Sequence, residues 1–153
     1  MALAGHCDDS GGVISRMTTI DEIQLIRFPI FTEPSAQGIL RVFEALSMPF
    51  GVQRIFSVHA NAGGLRGQHA HRKCTQLLVC VSGQVSVFCD DAEHTAHFTL
   101  HPQSDALLLP AGIWSTQCYE IDSSSLVVFC DYPYDEADYI RDFEVFSKWK
   151  TNK

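Results

Sequence analysis

Apolar residues along most of the chain occur in short runs that are separated by turn-forming pairs such as Ser82-Gly83 and Asp90-Asp91. Short runs that are rich in Val, Ile, Phe and Tyr and bounded by Gly, Ser or Asp are typical of β-strands. The predicted strands cover residues 23–28, 39–43, 53–59, 75–81, 84–89, 96–100, 106–109, 113–119 and 126–130. Because no helical pattern separates these runs, the sequence predicts an all-β sandwich or barrel.

The end of the chain has a helical pattern instead. Apolar residues recur every third position on one predicted stripe, at Ile140, Phe143, Phe146 and Trp149. Asp135 is the predicted N-cap, and Glu136 and Asp138 follow in the first turn, where acidic groups favour the helix dipole. These charges are therefore predicted to be structural. The same role is predicted for three tyrosines that would anchor the helix: Tyr132, Tyr134 and Tyr139.

Length and composition indicate one folded unit. The chain has 153 residues, 46% of them hydrophobic, which suits one ordinary domain with a substantial core. Residues 1–17 are small and polar, so they are predicted to form a flexible leader before a single domain at 18–153. The six cysteines include no CxxC pair, and five of them lie in or beside strand-like runs. We expect these five to be reduced core residues.

Charge and hydropathy exclude several classes of function. Eleven basic residues against 18 acidic ones give a net charge of -7. This balance argues against a nucleic-acid partner, because phosphate contacts need a basic surface. No apolar stretch approaches the roughly 20 residues of a membrane span, and residues 1–16 lack the features of a signal peptide. We therefore expect a cytoplasmic protein with no membrane partner.

Two histidines stand one residue apart in the run Arg66-Gly67-Gln68-His69-Ala70-His71. This spacing resembles the first motif of the cupins, in which a Glu follows the second His by five residues and a second motif adds another His. Gln76 and Ser115 occupy those two places here, and neutral Gln and Ser are poor ligands for Zn, Fe or Mn. We therefore expect no metal and no other cofactor, and the histidines are predicted to transfer protons.

Four segments together carry a closer family resemblance. They are RGQHAH at 66–71, QLLVC at 76–80, Pro110 to Trp114, and YDEADYIR at 134–141. In this order they resemble the sugar-nucleotide 3,4-ketoisomerases, over roughly residues 37–146. The resemblance implies an RmlC-like cupin fold, a jelly-roll β-barrel with a short C-terminal helix.

The resemblance also implies an activity and an assembly. It implies that the chain converts TDP-4-keto-6-deoxyglucose, a TDP-linked keto-deoxy sugar, to the 3-keto isomer without a metal. Such enzymes are usually homodimers in which terminal strands cross to the partner. The segment at 23–28 would be the exchanged strand here.

His69 and His71 are the predicted catalytic residues. Alternation along a strand places both side chains on one face while Ala70 points away. Imidazole accepts and donates protons near neutral pH, which suits removal of the C3 proton beside the ketone and its return at C4 through an enediolate. The sequence leaves open which histidine is the C3 base. A hydrogen-bonded structural pair is the alternative.

Arg54, Arg66 and Gln76 are the predicted substrate-binding residues. A planar guanidinium donates two hydrogen bonds to one anion, which suits the diphosphate of the substrate, and related enzymes carry arginines in the matching segments. A plain surface position is the alternative for each arginine. Gln76 either binds a sugar hydroxyl, orients a histidine or satisfies buried backbone groups.

Departures from the family pattern keep other functions open. Phe56-Ser57 stands where the related enzymes often carry Tyr-Tyr, Ser115 replaces a His, and Gln37 precedes Gly38 where an Arg is common. One alternative is a noncatalytic cupin that binds a sugar nucleotide, and another is a sugar-nucleotide 3,5-epimerase. A third is a metal-dependent cupin oxygenase that uses both histidines. Deuterium exchange and chelation separate these hypotheses.

Overall fold

The computed structural model describes residues 17–35 and 37–152. In chain order the strands are β1 (Gln24–Ile26), β2 (Ile30–Glu33), β3 (Gly38–Arg41), β4 (Arg54–Ala60), β5 (Leu65–His71), β6 (Gln76–Ser82), β7 (Val85–Asp90), β8 (Thr95–Leu100), β9 (Ala106–Leu109), β10 (Trp114–Tyr119), β11 (Ser124–Cys130) and β12 (Tyr139–Ile140). One α-helix, α1 (Phe143–Thr151), follows them. The prediction of an all-β chain with a short C-terminal helix is confirmed.

The strands form two antiparallel sheets of five strands each and one separate hairpin. The first sheet has the order β1-β9-β6-β11-β4, the second has the order β12-β5-β10-β7-β8, and β2 pairs with β3. Among the described strands no ladder joins the two large sheets, so they make a jelly-roll sandwich whose barrel is not closed by hydrogen bonds. Strand β4 is therefore an edge, and so is β5 along the part that β12 does not cover.

The main core fills the space between the two sheets. It combines Leu78 and Leu126 from the first sheet with Val85, Val87 and Tyr119 from the second sheet, all of them buried. Alternate residues of each strand face this layer because successive side chains point to opposite faces. The five described cysteines are free, and all except the half-buried Cys118 are buried, as expected for reduced core residues.

A second layer covers the outer face of the second sheet, where α1 packs. Ala70 on β5, Ile140 on β12 and Phe146 on α1 form a buried cluster with Trp114 and Trp149 beside it. Ala70 therefore points away from the sandwich interior, as the alternation along β5 predicts. This arrangement turns the side chains of His69 and His71 inward.

The predicted start of the helix is wrong. Helix α1 begins at Phe143, and its N-cap is Asp142, whose side chain accepts a hydrogen bond from the Val145 backbone N–H at 2.9 Å. Asp135 instead caps a short 3₁₀ turn, Glu136–Asp138. The chain stays extended after this turn because the backbone of β12 pairs with the end of β5. Asp138 therefore lies in a turn against β5 and not on a helix.

The structure contains one strand that was not predicted, and two predictions about the organisation of the chain stay untested. Strand β2 was not predicted, although its hairpin partner β3 was. Of the predicted leader at 1–17, residues 1–16 lie outside the described residues, and the single domain at 18–153 stays a prediction. No helix in the described part of the chain is both long and apolar enough to cross a membrane.

Candidate active site

A cavity of about 420 Å³ lies between the two sheets, on the side where β4 and β5 are edge strands. Its walls come from β4, β5, β6, β10 and β11, together with the segment around β12. The polar and aromatic side chains among its lining residues are Arg66, Gln68, His69, Gln76, Gln117, Tyr119, Tyr139, Arg141 and Phe56. Three of the four segments that carry the family resemblance therefore contribute residues to one cavity.

A β-bulge in β5 sets the position of the histidines. Ser115 on β10 lies opposite His69, whereas the next residue of β10 lies opposite Gly67, so Gln68 is the extra residue. Gly67 and Gln68 both have positive φ, 77° and 55°. A Cβ at Gly67 would lie 2.7 Å from the side-chain oxygen of Gln117, so the bulge needs a glycine there.

The rings of His69 and His71 meet edge to face inside the sandwich. Their Nε2 atoms are 3.2 Å apart. The Gly67 carbonyl can only accept, so at 2.9 Å it fixes the His69 proton on Nδ1. In the neutral rings this leaves an unprotonated Nε2 on His69, aimed at the Nε2 of its partner. A proton delivered between the two nitrogens would be shared by both.

Asp138 orients the second histidine. Its Oδ2 lies 2.7 Å from His71 Nδ1, and both groups are buried. The carboxylate also accepts backbone N–H bonds from Lys73 at 2.6 Å and Cys74 at 3.4 Å, which fix it in place. An acceptor at Nδ1 selects the tautomer with a free Nε2 and stabilises positive charge on the ring. Asp138 therefore holds His71 with its unprotonated Nε2 facing that of His69, and a hydrogen bond joins the two rings once one Nε2 has taken up a proton.

Burial keeps both imidazoles neutral near pH 7. It lowers the pKa of His69 to about 4, and the cationic side chains of Arg141 and Arg54 add to this effect. Burial also lowers the pKa of His71, although the hydrogen bond from its ring to Asp138 opposes that shift. Neutral imidazoles are proton acceptors, so the pair is ready to act as a base.

Tyr139 and Arg141 complete the wall beside the histidines. The Tyr139 ring lies 5.0 Å from the His69 ring and 4.4 Å from the His71 ring, between centroids. The Arg141 guanidinium lies 4.3 Å from the Tyr139 ring centroid and forms a bidentate pair with the exposed Glu136. That pair holds the pKa of Glu136 near 2. A carboxylate bound in this way occupies the donors that a phosphate would use.

The structure separates the two arginines that the sequence predicts. Arg66 lines the cavity, whereas Arg54 turns toward the core behind Tyr139. The Nη2 of Arg54 lies 3.4 Å from the Tyr139 hydroxyl and 3.6 Å from Cys130 Sγ. A hydrogen bond from the Cys74 thiol and another from Arg54 lower the pKa of Cys130. In this geometry Arg54 supports Tyr139.

Gln76 and Ser115, which replace customary metal ligands, take polar roles at the cavity. Gln76 lines it and points its amide nitrogen toward Cys130 Sγ at 3.9 Å. Ser115 is buried and accepts a hydrogen bond from the Gln117 amide at 3.0 Å. Ser115 is the strand partner of His69, and Gln76 lines the same cavity as His69. Gln76 offers hydrogen bonds to a ligand in the cavity, and neither side chain offers an anionic ligand to a metal.

A second group of potential metal ligands does not fit a metal. His71, Cys74 and Asp138 place one ligand atom each within 4.8 Å of one another. The Asp138 carboxylate already accepts a hydrogen bond from the His71 ring and two more from backbone N–H groups, so its oxygens are occupied. A hydrogen bond with Cys130 and burial raise the pKa of Cys74, so its thiol stays protonated. The expectation that the chain needs no metal stays a prediction.

Sequence comparison gives the family. The sequence model of the family described as "FdtA: WxcM-like, C-terminal" matches residues 21–151. A curated relative from Aneurinibacillus thermoaerophilus, named TDP-4-oxo-6-deoxy-alpha-D-glucose-3,4-oxoisomerase, is 32% identical over 117 residues, 75% of this chain and 84% of the relative. The chain belongs to the FdtA family. The resemblance found in its motifs is confirmed.

Solved structures confirm the fold of this FdtA-family chain. The QdtA 3,4-ketoisomerase from Thermoanaerobacterium thermosaccharolyticum, in complex with TDP, superposes with a TM-score of 0.79 at 24% identity. The match covers 87% of this chain and 97% of QdtA. The RmlC epimerase of Mycobacterium tuberculosis is similar at a TM-score of 0.66 and 17% identity, over 81% and 70% of the two chains. These structural similarities establish the RmlC-like cupin fold.

Among the residues at this site that were not predicted from the sequence, three share one segment: Asp138, Tyr139 and Arg141. All three lie in the segment YDEADYIR, which contributed to the resemblance but was interpreted as the start of a helix. Asp138 was predicted to favour the helix dipole, and Tyr139 was predicted to anchor the helix. The sequence does contain a signal for these residues, because YDEADYIR occurs together with RGQHAH in the family pattern. In the structure the two segments are neighbours, since β12 pairs with the end of β5.

Proposed function

We propose that this chain converts TDP-4-keto-6-deoxyglucose to its 3-keto isomer. The observation that carries the proposal is the pair of neutral imidazoles, His69 and His71, backed by Asp138 at a cavity of about 420 Å³. The relative that shares 32% of its residues is named for this isomerisation. A variant of the QdtA 3,4-ketoisomerase, which has the same fold, was crystallised in complex with TDP-4-keto-6-deoxyglucose.

The histidine pair acts as the base in this proposal. A proton leaves C3 for an Nε2 atom, the C3–H bonding electrons form a C3–C4 double bond, and the C4 ketone oxygen takes the negative charge. Proton return to C4, with transfer of the C3 hydroxyl proton to the oxygen on C4, gives the 3-keto isomer with no net oxidation. Asp138 stabilises the imidazolium that exists between the two steps.

The arginines at the cavity hold the diphosphate in this proposal. Arg66 and Arg141 line the cavity, and each can donate two parallel hydrogen bonds to a phosphate. The diphosphate would displace Glu136 from Arg141. Gln76 lines the same cavity as His69 and is proposed to hydrogen-bond a sugar hydroxyl. Arg54, which the sequence also predicts to bind substrate, would act through Tyr139.

Proton NMR in deuterated water tests the activity. Chelator-treated protein is incubated with TDP-4-keto-6-deoxyglucose, and a new 3-keto species with deuterium at C3 or C4 is expected. Exchange at C5 would instead indicate an epimerase. Binding without exchange would support the noncatalytic cupin, and activity that returns only with added metal would support a metal-dependent enzyme. Any of these three results contradicts the proposal.

Replacement of Arg141 tests the diphosphate assignment. We expect Arg141→Gln to raise KM about tenfold or more with little change in kcat, because the lost charge-assisted hydrogen bonds hold the substrate in both ground and transition states. Arg27→Gln is the matched control, since Arg27 also pairs with a carboxylate, Asp105, but far from the cavity. Equal kinetics for the two variants would contradict the assignment.

The pH dependence follows from the lowered pKa values of the histidines. A base must be unprotonated, so kcat/KM falls as the pH drops through the pKa of the free pair. Because burial lowers the pKa of His69 to about 4 and also lowers that of His71, we expect this fall below pH 6.5, the ordinary imidazole value. A kcat/KM profile from pH 4.5 to 8 measures it. A half-maximal point at or above pH 6.5 would contradict the neutral pair.

We also propose a homodimer, whose partner is a second copy of this chain. The hairpin of β2 and β3 supports it, because Phe31 and Leu40 are 57% and 60% exposed beside an open hollow of about 780 Å³. Strand β1 lies within the segment 23–28 that is predicted to exchange, and here it pairs with β9 of its own chain. In an exchanged dimer, β1 would pair with β9 of the partner instead.

Light scattering on the purified chain is expected to give twice the monomer mass. A cytoplasmic location remains a proposal from the sequence.

A further inference from the structure

Three hydrogen-bond donors converge on the sulfur of Cys130, the last residue of β11. Cys130 is fully buried, and its cross-strand partners are Arg54 on β4 and Gln76 on β6. Side chains opposite one another in a sheet point to the same face, so both partners reach the sulfur. Arg54 Nη2 lies 3.6 Å and the Gln76 amide nitrogen 3.9 Å from Sγ, and the Cys74 thiol donates a third hydrogen bond. A neutral thiol is a weak acceptor, so this set of donors suits an anionic sulfur.

The guanidinium of Arg54 has no carboxylate partner among the described residues. None of the ion pairs in that part of the chain includes it, and its Nε is buried there without a hydrogen-bond partner. Its central carbon lies 5.3 Å from the Phe56 ring centroid and 5.6 Å from the Tyr134 ring centroid. A cation in such surroundings needs a nearby anion. Its hydrogen-bond partners are the Tyr139 hydroxyl and the Cys130 sulfur, and a thiol ionises more readily than a phenol.

The groups around the two thiols favour a charge on Cys130 and not on Cys74. The hydrogen bond from Cys74 and the hydrogen bond and charge of Arg54 lower the pKa of Cys130, although burial opposes this shift. The same thiol-to-thiol hydrogen bond, burial and the charge of Asp131 raise the pKa of Cys74. Cys74 therefore keeps its proton and donates it to the neighbouring sulfur.

Arg54 connects this sulfur to the histidines. The nitrogen that contacts Cys130, Nη2, also lies 3.4 Å from the Tyr139 hydroxyl, and the Tyr139 ring packs against both histidine rings. We propose that Cys130 is a thiolate, and that it holds Arg54 and Tyr139 in position beside the histidine pair. Cys130 is a positioning residue, because it acts through Arg54 and Tyr139. Its effect on catalysis rests on the proposed function, in which the histidine pair is the base.

The ultraviolet absorbance of a thiolate tests the charge on Cys130 without any substrate. At pH 7 the wild type is expected to show the absorbance of one thiolate that Cys130→Ser lacks. Cys80→Ser is the matched control, because Cys80 is also buried but its burial raises the pKa to about 11. Arg54→Gln should weaken the thiolate absorbance although the cysteine is still present, since the stabilising cation is lost. An absorbance that either Cys130→Ser or Arg54→Gln leaves unchanged would overturn the inference.

Kinetics with the keto sugar test the positioning. We expect Cys130→Ser to lower kcat about tenfold, because Arg54 and Tyr139 lose their anchor, whereas Cys80→Ser keeps the wild-type rate. Both variants should bind TDP with wild-type affinity, since neither cysteine lines the cavity. Cys130→Asp restores an anion beside Arg54 in a side chain of similar size. It should therefore recover most of the rate that the neutral serine loses.

The outcomes separate this inference from the proposed function. A wild-type kcat in Cys130→Ser would overturn the positioning role. So would a Cys130→Asp variant that is folded, as judged by thermal unfolding, and no faster than Cys130→Ser. A wild-type protein that shows the thiolate but does not isomerise the keto sugar would contradict the proposed function and leave the pair of Cys130 and Arg54 standing. An active wild type without the thiolate would do the opposite.

Discussion

Replacement of either His69 or His71 by asparagine is expected to lower kcat by about a thousandfold or more while the fold is retained. General base catalysis contributes about a hundredfold to ten-thousandfold, and an amide cannot accept the C3 proton at neutral pH. Asparagine can still donate a hydrogen bond to the Gly67 carbonyl from position 69, or to Asp138 from position 71. The loss should therefore appear in catalysis and not in stability.

The measurement is kcat for the isomerisation, followed by NMR, beside thermal unfolding and titration with TDP. His97→Asn is the matched control, because His97 stacks on Phe88 on the outer face of the second sheet. Both active-site variants should bind TDP with nearly wild-type affinity. A wild-type rate in either variant would show that the pair is structural, which is the alternative that the sequence left open.

The motif and its strand could be predicted from the sequence because both depend on local rules. Alternation along β5 places His69 and His71 on one face, and the structure has them there with Ala70 on the other. The many short strands are likewise visible as apolar runs between turns. The bulge at Gly67-Gln68 was not predicted, although it sets the level at which His69 enters the cavity.

The chemistry contributed by the segment around β12 could not be predicted by local rules. An apolar stripe that follows acidic residues is also the pattern of a helix. In the structure this pattern begins with a 3₁₀ turn, Glu136–Asp138, and continues as the short strand β12. The decisive contact joins His71 and Asp138, which are 67 positions apart. Only the tertiary pairing of β12 with β5 brings them together. Arg54 is a similar case, since its direction depends on Cys130 and Tyr139.

Replacement of Asp138 by asparagine is the second change with a large expected effect. Asp138 is a positioning residue, because it acts on the substrate through the His71 ring. Its carboxylate accepts from the His71 ring and from two backbone N–H groups, whereas an asparagine has one accepting oxygen. The amide cannot support the imidazolium and lets the ring take the other tautomer, which would place a proton on Nε2.

We therefore expect Asp138→Asn to lower kcat about a hundredfold to ten-thousandfold. The affinity for TDP should not change, since the buried Asp138 does not line the cavity. The kcat/KM profile should also shift to lower pH, because the imidazolium loses its acceptor. A merely structural aspartate would not produce that shift. Asp135→Asn is the matched control, because Asp135 caps a turn in the same segment and asparagine is an equally good cap. A kcat within twofold of wild type, or an unshifted pH profile, would show that His71 works without Asp138.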